Sequence, residues 1–252
     1  MCLILLAWRA HPDYPLVVAA NRDEFFSRPT AAAAPWPEAR GVFAGRDLQG
    51  GGTWLGIGRG GRFAALTNYR DPASQRPDAA SRGTLVADFL RGDERAPAYV
   101  DRVSAHAVAY NGFNLLCSDG DRLVWFSNVG GSARELEPGV YGLCNHLLDT
   151  PWPKVQAAKS ALHEGLTALP DDAPLFDLLR DDGIHPDEDL PRTGVSLEWE
   201  RLLSAAFVRA PGYGTRSSTV VTMAADGWTT FDEQTWFEGA APGPRVRYRL
   251  RR

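Results

Sequence analysis

What most constrains this chain is a series of short apolar runs, each cut off by a cluster of Gly, Asp or Pro. Residues 3–8 and 16–20 are separated by His11-Pro12-Asp13-Tyr14-Pro15. Residues 53–57 and 62–68 flank Gly58-Arg59-Gly60-Gly61, and residues 113–118 and 122–128 flank Asp119-Gly120-Asp121. Residues 219–223 and 228–231 flank Ala225-Asp226-Gly227. Such runs are too short for helices and are bounded by turn formers, so each pair reads as an antiparallel hairpin. Residues 141–145 read as a further short strand. Residues 245–251 alternate Arg with Val, Tyr and Leu and read as a final strand with its arginines on a solvated edge.

Helical spacing occurs in two batches. Ser81 can cap a helix through Leu85, Val86, Phe89 and Leu90, and a second short helix fits residues 96–104. The later batch covers residues 151–169, 173–182 and 196–207, with Thr150 as an N-cap and Pro151 at the first helical position. Residues 181–194, rich in Asp, Pro and Gly, read as a mobile loop. Hairpins interrupted by two groups of helices point to packed antiparallel sheets with helices outside, not to a doubly wound parallel sheet. The expected fold class is α+β, a four-layer α-β-β-α sandwich, with residues 1–252 as a single domain.

Composition narrows the function. The chain has 252 residues, with 44% hydrophobic and 23% charged, enough for a sizeable core and unlike a disordered chain. Lys plus Arg is 27 and Asp plus Glu is 31, a net charge of −4 that argues against a nucleic-acid partner. No apolar run approaches the length of a membrane span, and the N-terminal run lacks the basic flank of a signal peptide. The three cysteines, Cys2, Cys117 and Cys144, are odd in number, which suits a reducing compartment and a cytoplasmic protein.

Four groups of residues can carry chemistry. Removal of Met1 would leave Cys2 with a thiol and a free α-amine, and that amine can take the thiol proton without another base. Asn21-Arg22-Asp23-Glu24 follows an apolar strand directly, with Arg22 offering a planar donor fork and the two carboxylates able to hold it. Asn68, Asn111 and Asn145 each stand near a strand end. Asn145 is the best placed of them to donate to an oxyanion, whereas Asn111-Gly112 also reads as a turn. Arg216, in Gly212-Tyr213-Gly214-Thr215-Arg216, can face a pocket or be an exposed loop residue. Each group also has a structural reading: a core cysteine, a salt-bridged strand end, a backbone-capping amide, a surface arginine.

Other signals fail. Gly56-Ile57-Gly58-Arg59-Gly60-Gly61 has the glycine spacing of a dinucleotide loop, but a strand follows it where a helix is needed. The five histidines are scattered without zinc spacing, so no metal site is expected. No G-x-S-x-G elbow occurs.

Taken together, the motifs resemble the NRDE family, also called the transport-and-Golgi-organisation-protein-two family. The resemblance runs from Met1-Cys2 through Ala19-Ala20-Asn21-Arg22-Asp23-Glu24-Phe25, Gly51-Gly52-Thr53-Trp54-Leu55-Gly56-Ile57 and Ala64-Ala65-Leu66-Thr67-Asn68-Tyr69. It continues through Tyr110-Asn111-Gly112-Phe113-Asn114-Leu115, Tyr141-Gly142-Leu143 and Thr150-Pro151-Trp152 to Pro211-Gly212-Tyr213-Gly214-Thr215-Arg216. That family is similar to the N-terminal-nucleophile hydrolases, whose core is the same four-layer sandwich. Within them it is most similar to the cysteine amidases that cleave conjugated bile salts and penicillin V. The resemblance implies Cys2 as nucleophile, Arg22 and Asp23 beside it, Asn145 for the oxyanion and Arg216 as a late active-site arginine. The chain departs from the amidases' G-R-N-x-D motif, having Ala20-Asn21-Arg22-Asp23-Glu24 instead. Asn21, Glu24, Asn68 and Asn111 are the expected ligand-binding residues. Eukaryotic members are implicated in haem trafficking and in acyl-lipid or acyl-coenzyme A metabolism.

Two functional readings follow. The first is an amide or thioester hydrolase that needs no cofactor and acts on a small-molecule substrate. The second is a carrier for haem or an acyl ligand, with Cys2, His106 and His146 as candidate haem ligands. A purely structural protein is a third, made less attractive by a polar tetrad at a strand end.

Overall fold

A computed structural model describes residues 2–251. The strands are β1 (Cys2–Trp8), β2 (Leu16–Phe25), β3 (Thr30–Pro35), β4 (Phe43–Asp47), β5 (Leu55–Ile57), β6 (Phe63–Asn68) and β7 (Phe113–Ser118). They continue as β8 (Leu123–Ser127), β9 (Arg134–Glu135), β10 (Gly139–Leu143), β11 (Arg209–Ala210), β12 (Tyr213–Met223), β13 (Trp228–Trp236) and β14 (Pro242–Arg251). The helices are α1 (Gly83–Arg91), α2 (Ala96–Ala105), α3 (Pro153–Gly165), α4 (Ala173–Leu179) and α5 (Leu197–Leu202).

The strands form two antiparallel sheets. The first runs β10-β1-β2-β12-β13-β14, with β11 on β12, and the second runs β3-β4-β5-β6-β7-β8-β9. Period-two alternation sorts the first sheet into two faces. Ile4, Leu6, Val18, Val221 and Phe231 meet Phe43, Leu55, Phe63 and Leu116 of the second sheet in a core between the sheets. Leu3, Leu5, Val17, Ala19 and Val220 turn the other way, onto Val155, Leu162, Leu175 and Leu179 of α3 and α4. The outer face of the second sheet packs against Val86, Phe89, Tyr99 and Val100 of α1 and α2. The result is the expected α-β-β-α sandwich. Each fully buried Leu or Phe in these layers contributes roughly 1.5–3 kcal/mol.

The cross-strand register places the site. On the inter-sheet face of the first sheet, rows run across the strands as Leu6, Val18, Val221, Phe231, then Ile4, Ala20, Thr219, Glu233, then Cys2, Arg22, Ser217, Thr235. The face therefore changes from apolar to polar within three rows. β10, which pairs Leu143 with Ile4, ends two residues before Asn145, which stands in the bend that follows.

Several local expectations shift. The first helix starts at Gly83 with Arg82 in the cap position and no side-chain cap, while the Ser81 carbonyl accepts from Thr84. The third starts at Pro153 behind Trp152, not at Pro151, and the fifth is confined to Leu197–Leu202, with the Ser196 hydroxyl accepting from the Trp199 N–H. Strands β3 and β4 were not expected. The arginines of β14 are more than a solvated edge. Arg245 forks onto Asp232 at 2.9 and 3.0 Å, and Arg247 reaches Asp172 at 2.9 Å. Asp232 is fully buried, so these arginines neutralise a charge that water cannot reach. Among the described residues no helix is long and apolar enough to cross a membrane.

Candidate active site

The polar end of the inter-sheet face opens into a cleft of about 520 Å³. Cys2, Arg22, Asp23 and Glu24 line it from the first sheet, Leu66 and Asn68 from the second, and Thr53 and Trp54 from the loop before β5. Arg82 and Gly83, at the start of α1, and Asn111 close its far side. Gly45 allows Trp54 to lie across β4, because a Cβ there would collide with the indole ring. The Arg22 guanidinium stacks on that indole, 4.4 Å from the ring centroid. Gly52, at φ +77°, lets its loop press against the Gly83 backbone, where a side chain would have no room.

A second chamber of about 440 Å³ abuts the first, sharing Glu24, Phe25, Asn68 and Arg82. Tyr69, Pro72, Val195, Trp199, Leu203 and Tyr213 give it a largely apolar wall, and Asn145 reaches it as well.

Strand alternation divides the Asn-Arg-Asp-Glu tetrad. Arg22 and Glu24 face the cleft with Cys2, 3.9 Å apart, and Glu24 also stands 3.7 Å from Arg28. Arg28 in turn pairs with Asp47 at 2.7 Å. Asn21 faces the helix layer instead. Its amide donates to the Leu179 and Ala206 carbonyls at 2.7 and 2.8 Å, and its Oδ1 accepts from Ser218 at 2.6 Å. Asn21 is thus held by the helix layer and lines neither chamber. Asp23, also buried, accepts from the Thr215 hydroxyl at 2.7 Å. The Thr215 hydroxyl accepts from the Val208 N–H at 2.9 Å. Lys154 donates to Leu203 O at 2.7 Å, so three residues clamp the buried segment 203–208 beneath the tetrad.

The Cys2 thiol is pushed up by burial, with Asp23 adding to the shift and Arg22 opposing it. Asp23 is also raised by burial, against the pull of Lys154, the Thr215 hydroxyl and Arg70. A thiol in this state is protonated at neutral pH and needs a base to become a nucleophile. Cys117 and Cys144 are buried in the cores; Cys2 alone of the three cysteines is partly exposed.

Asn145 is fully buried. Its amide donates one hydrogen to Asn68 O, 2.9 Å away in the opposite sheet, which leaves its second N–H for a further acceptor. Asn68 lines both chambers, and Asn111 is tied to Arg76 by two hydrogen bonds. Arg216 is not brought to the cleft. A β-bulge between Thr215 and Ser217 takes it out of the row, and its guanidinium donates to Phe25 O, Arg28 O and Thr30 Oγ1. His106 lies at the end of α2, bonded to Arg102 O. His146 has both ring nitrogens engaged, by Tyr69 and Thr150. Neither histidine lines the two chambers, so the structure does not gather the three candidate haem ligands.

Sequence reading missed Trp54 and Arg82 as cleft residues. Trp54 stood inside a quoted motif, but nothing in the strand pattern says that its ring crosses to the facing sheet. Arg82 carried no signal, since a residue just before a helix reads as part of its start.

The fold and the cleft define a class: an α-β-β-α sandwich with a cysteine-bearing cleft at one end of its inter-sheet face. The chain belongs to the Transport and Golgi organisation 2 family, whose model matches residues 1–238. It is 41% identical over 261 residues to the Transport and Golgi organization protein 2 homolog of Bos taurus, covering 93% of each chain. It is 38% identical to the Homo sapiens homolog, covering 94% of each, and 32% identical to the Drosophila melanogaster protein, covering 93% and 92%. Among solved structures it resembles a Caenorhabditis elegans N-acylethanolamine-hydrolyzing acid amidase ortholog, with TM-score 0.47 and 12% identity, over 87% of this chain and 92% of that one. That likeness is too distant to argue from.

Proposed function

We propose that this protein is a cysteine hydrolase of acyl amides or thioesters, with Cys2 as its nucleophile once Met1 has been removed. Met1 lies outside the described residues. The observation that carries the reading is the row that brings Cys2 and Arg22 to one end of the inter-sheet face, open to a cleft, with Asn145 lining the adjoining chamber. In the reaction, Cys2 Sγ attacks the carbonyl carbon and its proton passes to the residue's own α-amine. That amine has a reference pKa of about 7.7–8.0, suited to the task. Asn145 donates its remaining N–H to the oxyanion. The proton goes on to the leaving amine or thiol. Water then hydrolyses the acyl-cysteine thioester and releases a carboxylic acid. The apolar chamber takes the acyl chain, and Arg22 orients the polar part of the substrate. A reduced thiol suits the cytoplasm.

The experiment has two parts. Intact-mass measurement should find the chain without Met1. A panel of acyl amides and thioesters should then be turned over by the processed protein and not by Cys2→Ala, which should still bind them. Turnover by Cys2→Ala equal to wild type removes the reading. Ligand binding with no turnover by either protein favours the carrier of haem or an acyl ligand.

A further inference from the structure

Beside the apolar chamber, one buried carboxylate joins elements on which the reaction depends. Glu200, on α5, is 4% exposed. Its Oε1 accepts from the Thr193 N–H and from the Thr193 hydroxyl, both at 2.7 Å. Its Oε2 accepts from Arg70 Nη1 at 2.9 Å. Arg70, two residues past the end of β6, is buried as well, and its guanidinium lies over the Trp152 indole, 4.9 Å from the ring centroid. The Arg70 N–H donates to Asn145 O at 2.7 Å, and the Asn145 amide donates to Asn68 O at 2.9 Å. Residues 68 and 70 therefore grip Asn145 by its side chain and its main chain. Thr193, Glu200, Arg70 and Asn145 stand in series, each joined to the next, from the loop before α5 to the proposed oxyanion donor. Val195 and Trp199, between Thr193 and Glu200 in sequence, wall the apolar chamber.

We propose that Glu200 is a positioning residue for Asn145: by anchoring the Arg70 side chain it fixes the strand end at residues 68–70 that aims the remaining Asn145 N–H, while its other oxygen seats the chamber wall through Thr193. A guanidinium closed off from water is strongly disfavoured in its place once an anionic partner is withdrawn. Because the Arg70 side chain is held between Glu200 and Trp152, its movement passes to its own N–H and so to Asn145. Loss of the Thr193 arm leaves that route whole. The inference rests on the hydrolase reading for what Asn145 does, and on the hydrogen bonds alone for how Asn145 is held.

The test separates the two arms. Glu200→Gln keeps a carbonyl oxygen for Thr193 but turns an amide donor toward Arg70, whereas Thr193→Val removes the hydroxyl and keeps the N–H. The first readout needs no substrate: the side-chain amide signals of Asn145 in a proton–nitrogen correlation spectrum, assigned with Asn145→Ala. Glu200→Gln should move both signals, and Thr193→Val should leave them in place. The second readout is hydrolysis of the N-acetylcysteamine thioester of octanoic acid. Glu200→Gln should lower kcat about tenfold or more with KM little changed, because the oxyanion donor acts in the transition state. Thr193→Val should raise KM and spare kcat, as expected for a chamber wall. Absence of turnover in every protein counts against the hydrolase reading and leaves the amide signals to decide the inference. Signals unmoved in folded Glu200→Gln overturn the proposal. So does an equal displacement in Thr193→Val, or a fall in melting temperature with kcat and KM unchanged, which would make Glu200 only a clasp between α5 and the end of β6. If Glu200→Gln does not fold, Arg70→Lys, which keeps the charge and the backbone N–H but loses the planar fork, should move the Asn145 signals. No movement in that variant also overturns the proposal.

Discussion

The two faces of β2 at the tetrad do opposite work. On the helix side, Asn21 and Asp23 are buried and hydrogen-bonded to elements far away in sequence, closing the joint between the first sheet and segment 203–208. On the inter-sheet side, Arg22 and Glu24 meet a cavity, and part of Arg22's donor capacity is unspent. Of four adjacent polar residues, Asn21 is therefore scaffold, Arg22 and Glu24 belong to the site, and Asp23 is a scaffold residue that also borders the cleft. The lesson is that a polar motif at a strand end has to be split by face before roles are given to its members.

This contrast can be broken experimentally. The largest effect should come from Asn21→Leu. It leaves two buried carbonyls and the Ser218 hydroxyl without their partner, at a cost on the order of 3 kcal/mol by denaturant unfolding. An Asn21→Leu protein as stable as wild type would remove the scaffold half of the comparison. Thr215→Val should cost less, about 1–2 kcal/mol, since it strips one acceptor from Val208 N–H and one donor from Asp23.

Asp23 makes a prediction in pH. Its folded-state pKa lies above the unfolded value, so the native state binds the extra proton first. The stability it contributes is complete below the unfolded value of about 3.9 and is lost as pH rises through the folded value. Melting curves of wild type and Asp23→Asn should thus differ in slope across mildly acidic pH, the wild type losing stability relative to the variant as pH increases. Parallel curves would mean that Asp23 is fully compensated by its neighbours. The smallest effect belongs to Glu24→Gln. Its ion pairs are 3.9 and 3.7 Å long and partly solvated, so unfolding free energy should move by no more than about 0.5 kcal/mol. A loss of several times that would make Glu24 scaffold like Asn21.

Much of the fold could be read from the chain. The hairpins at β1–β2, β5–β6, β7–β8 and β12–β13 follow from apolar runs between turn formers. Strands β3 and β4 were hidden because Ala31-Ala32-Ala33-Ala34 has little strand propensity and only Ala33 of the four is buried. Of the site, Cys2, Arg22, Asp23, Glu24, Asn68 and Asn111 were visible as chemistry near strand ends, and all six line the cleft. Arg216 looked equivalent, but the bulge at its own position turns it onto backbone carbonyls. A bulge of that kind leaves no mark in the residue pattern. Glu200 looked like one more polar residue on a helix.

By itself the sequence determined which residues alternate, where the chain turns back, and hence which side chains share a face of a strand, because strand period and turn chemistry are local. Only the tertiary structure decided which faces meet each other and which polar groups find partners there. Asn21 and Asn145 are the same residue type beside similar apolar runs. One is saturated by Leu179, Ala206 and Ser218, and the other keeps an N–H beside a chamber. That difference is set by contacts spanning more than a hundred residues in the first case, and whether a buried amide is spent or available depends on what long-range packing brings against it.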